Sequence, residues 1–216
     1  MYRIDEVLPN EDISTVEAGT NLLITGGPMT GKRSLALELQ AAGLKRGEAA
    51  LCITTDSSES LVGDLPVDGD ALSEAPIGIV DCSRSDSGRA HRHVPEQSVG
   101  SPEDLTGISM RSAKFREYFA ARNIEAIRHG LYSISTLIQY LDLKTVFKFL
   151  HVYTSRIQET GAFGVYTLDD TVHSQEAINT LLCEFDGVIE LRESDDGERK
   201  LRVRGVSDST RTWQSY

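Results

Sequence analysis

The chain has 216 residues and a formal net charge of -11, with 33 acidic against 22 basic side chains. This length suits one α/β domain with a sizeable core, and the negative charge opposes non-specific binding to nucleic acid or anionic membranes. No apolar run has the length of a membrane span, and the first residues lack the apolar core of a signal peptide. We therefore expect a cytoplasmic protein without a membrane span.

The basic residues are mostly arginine. An acidic, lysine-poor surface favours a salt-loving cytoplasm, where strong screening shortens the reach of surface repulsion, and an ordinary acidic protein is the alternative. Three cysteines (Cys52, Cys82 and Cys183) are odd in number and far apart. They are predicted to be buried small hydrophobes rather than disulfides or metal ligands, and no Cys/His cluster has zinc spacing.

The first regular elements form a βαβ unit. Residues 1–20 are a polar lead-in, of which 1–15 precede the domain proper. An apolar run, Asn21–Thr25, predicts a buried strand that ends in glycines. A helical pattern follows from Gly31 and stops near Gly47, and Ala49–Thr55 predicts a second strand. Strand, glycine loop, helix and strand in this order imply a parallel sheet.

The remaining elements alternate in the same way. Residues 57–76 are loop-like with a short helix near Ser58–Val62, residues 83–101 are predicted to form a mobile surface loop, and residues 207–216 a tail. Further strands are predicted at Ile77–Asp81, Ala126–Ser133 and Ala162–Leu168, with a closing β-hairpin at Gly187–Arg192 and Lys200–Val206. Further helices are predicted from Ser101, over Ser109–Arg122, from Leu143 to Gly161, and over Ser174–Glu184.

A glycine-rich loop with a lysine carries the strongest chemical signal. The run Gly26–Ser34 holds Gly, four residues, then Gly-Lys, which is the core of a P-loop. Glycines let backbone N–H groups turn towards phosphate oxygens, and the following helix directs its positive end at the same anion. The residues predicted to bind nucleotide phosphate are Gly26, Gly27, Met29, Thr30, Gly31, Lys32, Arg33 and Ser34. The alternative is a glycine-rich turn whose lysine is only solvated.

The loop departs from the pattern at one position. The residue after the lysine should be Ser or Thr, whose hydroxyl ligates Mg²⁺, but it is Arg33. Ser34 is rotated by about 100° around the helix and cannot take that place. Arg33 could replace part of the metal's charge, or it could turn to solvent. No metal ligand is therefore assigned, and Mg²⁺ stays uncertain.

Four segments together resemble the RecA superfamily: Gly26–Ser34, Leu51–Thr55, Leu131–Leu137 and Phe185–Leu191. The resemblance covers about residues 16–206 and is strongest to the KaiC-like branch, which includes archaeal RadA-related regulators. It implies an α/β, RecA-like P-loop domain with a mostly parallel twisted sheet flanked by helices and a C-terminal β-hairpin. With the acidic, lysine-poor surface, it favours a haloarchaeal member.

The resemblance also implies a second altered metal position. Family members carry an aspartate where this chain has Tyr132, and they carry acids after the second strand that activate water. Asp56 is the only candidate base here, and a strand-end or helix-cap role is its alternative. Because Arg33 and Tyr132 alter two positions at one metal, weak or absent hydrolysis is expected.

Three functions remain open from the sequence. The first is a nucleotide-binding regulator, with ATP or another nucleotide as ligand, that acts through a protein partner or a homo-oligomer. The second is an active ATPase in signalling or DNA repair, and the third is a scaffold that binds no nucleotide. Nucleic-acid contact could come from basic residues in two segments, namely Arg84, Arg89, His91, Arg92 and His93, and Arg199, Lys200, Arg202 and Arg204. No aromatic residues interleave with them to stack on bases, so we do not favour it.

Overall fold

A central sheet with helices on both faces organises the chain. The computed structural model describes residues 1–8, 13–83, 94–194, 197–206 and 212–216. The strands are β1 (Tyr2–Arg3), β2 (Thr15–Val16), β3 (Asn21–Thr25), β4 (Ala49–Thr54), β5 (Ile77–Asp81), β6 (Glu96–Ser98), β7 (Ile127–Tyr132), β8 (Phe163–Leu168), β9 (Gly187–Glu193), β10 (Arg199–Arg204) and β11 (Gln214–Ser215). The helices are α1 (Lys32–Leu44), α2 (Ser58–Asp64), α3 (Gly69–Glu74), α4 (Leu105–Ala120), α5 (Ile134–Tyr140), α6 (Leu143–Thr160) and α7 (Gln175–Leu182).

The large sheet is mostly parallel, as predicted. Its strand order is β11-β10-β9-β3-β8-β7-β4-β5-β6. Every pair from β9 to β6 is parallel, whereas β10 runs antiparallel to β9 and β11. The predicted closing hairpin is therefore confirmed as β9 and β10. Strands β1 and β2 form a separate antiparallel pair.

Two apolar layers hold the helices against the sheet. Successive residues of a strand point to opposite faces, and in β3 the side chain of Leu22 enters one layer and that of Leu23 the other. Helices α1 and α2 cover the first face, together with apolar residues of the lead-in, and helices α4 to α7 cover the second. In the described part of the chain, no helix is long and apolar enough to cross a membrane.

The structure adds elements that the sequence pattern did not predict. The lead-in contains β1 and β2, and its Ile4 and Leu8 are buried because they close one end of the first apolar layer. The helix predicted from Ser101 and the one predicted over 109–122 are a single helix, α4, whose first turn is capped by the Asp104 carboxylate. Helices α3 and α5 and strand β11 were also not predicted.

The predictions of a surface loop over residues 83–101 and of three buried cysteines are confirmed only in part or lie partly outside the described residues. The predicted loop 83–101 lies mainly outside the described residues, and the structure places strand β6 near its end. Cys52 and Cys82 are buried and free, as predicted, but Cys183 is exposed. The prediction for Cys183 was wrong because the residue caps α7, where its thiol lies 3.5 Å from the Asn179 carbonyl oxygen.

A buried arginine joins three parts of the fold. Arg128 on β7 is fully buried, and its guanidinium donates to the Glu48 carboxylate (2.6 Å) and to the carbonyl oxygens of Leu39 (2.7 Å) and Arg3 (2.9 Å). These contacts connect β7 with α1 and β1. A buried guanidinium is tolerated only when its donors are satisfied, so this group fixes how the lead-in and α1 sit on the sheet.

We expect Arg128→Met to lower the free energy of unfolding by about 3–5 kcal/mol, because it leaves the Glu48 carboxylate and two carbonyl groups without their donor. Urea unfolding followed by circular dichroism measures this. The exposed Lys148→Met is the control and should stay within about 0.5 kcal/mol of the wild type. Equal stability of the two variants would show that Arg128 is not needed for this packing.

Candidate phosphate-binding site

The candidate site lies where the parallel strands end. Strand β3 pairs in parallel with β8, so that Thr25 lies opposite Leu168. Strand β7 follows β8 in the sheet and β4 follows β7, and both run in the same direction as β3. The residues that follow β3, β4 and β8 therefore meet at one edge of the sheet. The glycine loop follows β3 at this edge and leads directly into α1.

The loop backbone is curled in a way that its sequence requires. Gly31, which caps α1, has φ +89°, a conformation that residues with a side chain rarely adopt. A β-carbon on Gly26 would lie 2.7 Å from the Leu191 carbonyl oxygen, so no side chain fits there. Thr30 closes the turn by donating from its hydroxyl to the Gly27 carbonyl oxygen (2.9 Å). Met29, at the tip, is 86% exposed.

The start of α1 offers the loop a positive end. The first N–H groups of a helix have no partner within it, and the helix dipole adds a partial positive charge there. Here the first helical residue is Lys32, and no acidic residue stands in the first turn. A glycine loop followed by such a helix start is an arrangement that binds phosphate groups.

The Lys32 side chain already holds an internal anion. Its ammonium group donates to the Gly27 carbonyl oxygen at 2.7 Å and lies 3.4 Å from a carboxylate oxygen of Asp169, which follows β8. Burial raises the pKa of Asp169, but hydrogen bonds from Thr171 and the charge of Lys32 outweigh it and leave the pKa lowered. Asp169 is therefore ionised at neutral pH and competes with any phosphate for Lys32.

Arg33 turns neither to the loop nor freely into solvent. Its guanidinium donates to a carboxylate oxygen of Asp56 at 2.8 Å and to one of Asp64 at 3.0 Å. Asp56, the candidate base, follows β4 as the sequence indicated, and its side chain is 62% exposed. The candidate base is thus paired with the arginine that stands in the place of a metal ligand.

Tyr132 at the end of β7 supplies no group to this edge. It is buried, and its hydroxyl turns back over Gly130, since a β-carbon there would lie 2.1 Å from the Tyr132 oxygen. Burial raises the pKa of this hydroxyl well above its ordinary value. A guanidinium cannot ligate a cation, and a buried neutral phenol is a poor ligand. Positions 33 and 132 therefore do not fit Mg²⁺.

Sequence reasoning missed Asp169. The signal was present, because Asp169 directly follows the buried apolar strand β8, and ligands bind beyond the carboxyl ends of parallel strands. What could not be predicted was that β8, rather than β4 or β7, pairs with β3. That pairing brings Asp169 to Lys32, while Ser34, predicted to assist phosphate binding, is exposed.

The basic residues considered for nucleic-acid contact are partly neutralised. Arg202 and Arg204 both pair with Glu190, the latter at 3.0 Å, and Lys200 lies 3.7 Å from Glu198. The residues predicted in the other segment, Arg84, Arg89, His91, Arg92 and His93, lie outside the described residues.

Comparisons with known proteins match the chain to one family model and relate its fold to that of a solved structure. The model of the family of unknown function DUF7504 matches residues 19–191. Among solved structures, the crystal structure of the KaiC-like protein PH0186 from the hyperthermophilic archaeon Pyrococcus horikoshii matches with a TM-score of 0.68 and 20% identity over 100% of this chain and 91% of that one. At this identity the likeness concerns the fold. A comparison with curated proteins gave no match.

We expect Asp169→Asn to bind inorganic tripolyphosphate about threefold to tenfold more tightly than the wild type, because the amide removes the negative charge that competes for Lys32. Isothermal titration calorimetry measures this. Asp64→Asn, which removes a charge from the outer side of Arg33, is the control and should change the affinity much less. Weaker binding by the Asp169 variant would mean that its carboxylate supports the ligand.

Proposed function

Since this chain belongs to the DUF7504 family, whose description names no activity, we propose its function from its own residues: it binds a nucleotide, with ATP as the expected ligand, and acts as a regulator with weak or absent hydrolysis. One observation carries the proposal. A phosphate-type loop leads into α1, which begins at Lys32, while the two positions expected to serve a metal hold Arg33 and a buried Tyr132.

Binding rests on the loop alone. Backbone N–H groups at the start of α1, the helix dipole and the Lys32 ammonium act on one anion without help from a metal. Gly31 has φ +89°, and Gly26 has no room for a β-carbon, so glycine at both positions allows the curled backbone that turns N–H groups towards a phosphate. The resemblance to nucleotide-binding proteins of the KaiC-like branch makes ATP the first ligand to test.

Weak hydrolysis rests on the residues around the loop. Phosphoryl transfer depends on positioning and on stabilisation of charge, and a metal usually supplies much of the latter. A base must also be free to accept a proton from water, whereas Asp56 is engaged by Arg33 at 2.8 Å. The loop can thus bind a nucleotide, while the described residues around it supply neither a metal site nor a free base for hydrolysis of its phosphate bond.

A regulatory role follows from what ligand binding would displace. A phosphate at Lys32 competes with Asp169, whose N–H donates to the Ser135 hydroxyl (2.9 Å) on α5, a hydroxyl that also bonds His173 (2.9 Å). The segment from Asp169 to His173 carries Val172, which is 58% exposed. Release of Asp169 would therefore rearrange a surface segment with an apolar side chain, available to a protein partner or to a second copy of the chain.

Two other functions each have one supporting observation. Asp56 does follow β4 at the loop edge, which favours an ATPase that frees this base when substrate binds. The Lys32–Asp169 pair already satisfies the lysine, which favours a scaffold that binds no nucleotide. Calorimetry and phosphate release distinguish all three.

We expect calorimetry in high salt to show ATP binding both with and without Mg²⁺, because the loop needs no metal ligand, and Lys32→Ala to weaken it roughly tenfold to a hundredfold. The exposed Lys45→Ala, at the other end of α1, removes the same charge and should bind like the wild type. Absence of binding by the wild type would leave the scaffold as the better function.

Released phosphate from the same samples tests hydrolysis. We expect slow release, unchanged within about twofold in Asp56→Ala, because the paired carboxylate contributes little as a base. Loss of a substantial turnover in this variant would instead establish the active ATPase. Lys32→Ala gives the background rate against which both are compared.

A further inference from the structure

Two residues from the hairpin end of the sheet reach the glycine loop. Strand β10 is antiparallel to β9, so its first residue, Arg199, lies at the edge where β9 and β3 end. Strand β11 pairs with β10 and brings Tyr216 to the same edge, where its N–H donates to the Arg199 carbonyl oxygen at 2.9 Å. This edge of the hairpin faces the loop.

Both side chains lie against Gly31. A β-carbon on Gly31 would be 3.5 Å from a terminal guanidinium nitrogen of Arg199 and 3.8 Å from a ring carbon of Tyr216. These are van der Waals distances from the residue that caps α1. An arginine and an aromatic ring therefore stand beside the backbone that would receive a phosphate group.

Among the described residues, Arg199 differs from its neighbours in the hairpin because no carboxylate pairs with it. Lys200, Arg202 and Arg204 each pair with a glutamate, whereas no carboxylate of the described residues pairs with Arg199. In a chain with a net charge of -11, an arginine at a phosphate-type loop that has no carboxylate partner among the described residues can bind an incoming anion. Guanidinium groups match phosphate oxygens in charge and geometry.

Tyr216 presents a neutral ring beside this arginine. It is half-buried, and burial, with a further contribution from Glu38 on α1, raises its pKa to about 12 despite the opposing charge of Arg199. A neutral aromatic ring does not repel a nucleotide and offers a surface on which its base can stack.

Contacts other than the Arg199 and Tyr216 side chains hold β11 on the sheet. The ring of Trp213, just before β11, packs against the guanidinium groups of Arg192 (3.9 Å to the ring centre) and Arg202 (4.7 Å). Main-chain pairing of β11 with β10 adds to this. We therefore expect β11 to stay in place when the side chain of Arg199 or Tyr216 is changed.

We propose that Arg199 and Tyr216 form the second wall of the nucleotide site: the Arg199 guanidinium binds a phosphate oxygen of the ligand that the loop holds, and the Tyr216 ring stacks on its base. This rests on the proposed function, because the ligand is the nucleotide bound at Lys32. The proposal assigns recognition of the base to Tyr216, which lies more than 180 residues after the loop in sequence.

The test compares two ligands and two variants by calorimetry. Arg199→Gln should weaken both ATP and inorganic tripolyphosphate roughly tenfold, because both carry the phosphates. Tyr216→Leu should weaken ATP roughly fivefold to tenfold and leave tripolyphosphate unchanged, because only ATP has a base. Tyr216→Phe keeps the ring, and Lys200→Gln removes a charge from the opposite face of β10. Both should bind like the wild type.

The outcomes distinguish a failure of the proposed nucleotide binding from a failure of the roles proposed for Arg199 and Tyr216. If the wild type binds neither ligand, the proposed function fails. If it binds both and the two variants stay within about twofold, the function stands and the second wall is wrong. Tighter binding by either variant would also overturn it, since the side chains would then be a cap that excludes the ligand.

Tryptophan fluorescence serves as a control for misplacement of β11 in the variants. Trp213 is the single tryptophan of the chain, so its emission reports whether β11 stays in place. If Tyr216→Leu shifts the emission, Arg199→Gln with an unshifted spectrum decides the proposal. Unchanged tripolyphosphate affinity in that variant would overturn it.

Discussion

The parallel pairing of β3 with β8 on one side and β9 on the other is the constraint on which the site depends. Parallel strands end at the same edge of a sheet, so the loop after β3 meets the residues that follow β8 and β9. The antiparallel return of β10 brings Arg199 back to that edge. Asp169 and Arg199 owe their place beside the loop to strand direction and order rather than to proximity in sequence.

Two cations at this edge of the sheet are paired with carboxylates of the same chain. Lys32 holds Asp169, and Arg33 holds Asp56 and Asp64, so two of the cations nearest the loop have internal partners. A ligand at Lys32 would replace the first of these pairs and leave the Asp169 carboxylate with the hydrogen bonds from Thr171. Under the proposed function, displacement of Asp169 from Lys32 would link ligand binding to the segment after β8. Such a link is what the proposed regulatory role requires.

Much of the fold could be predicted from the sequence because its buried strands are short apolar runs and its helices carry clear starts and ends. The helix after the loop, the long helix α6 and the closing hairpin follow from periodicity and glycines. Strands β6 and β11, with three and two residues, carry no periodic signal, because their pairing is set by the neighbouring strand. The lead-in looked polar, yet five of its apolar residues are buried against the sheet and helices, namely Tyr2, Ile4, Leu8, Ile13 and Val16.

For the site, the sequence by itself determined the loop, since the spacing of Gly26, Gly31 and Lys32 between a strand and a helix is a local pattern. It also determined that positions 33 and 132 lack the usual metal-binding side chains. Only the tertiary structure decided that Asp169 lies on Lys32, that Arg33 binds Asp56, and that Arg199 and Tyr216 stand beside Gly31. The reason is physical: local sequence fixes what a segment can do, whereas strand order and direction decide which distant side chains share its space.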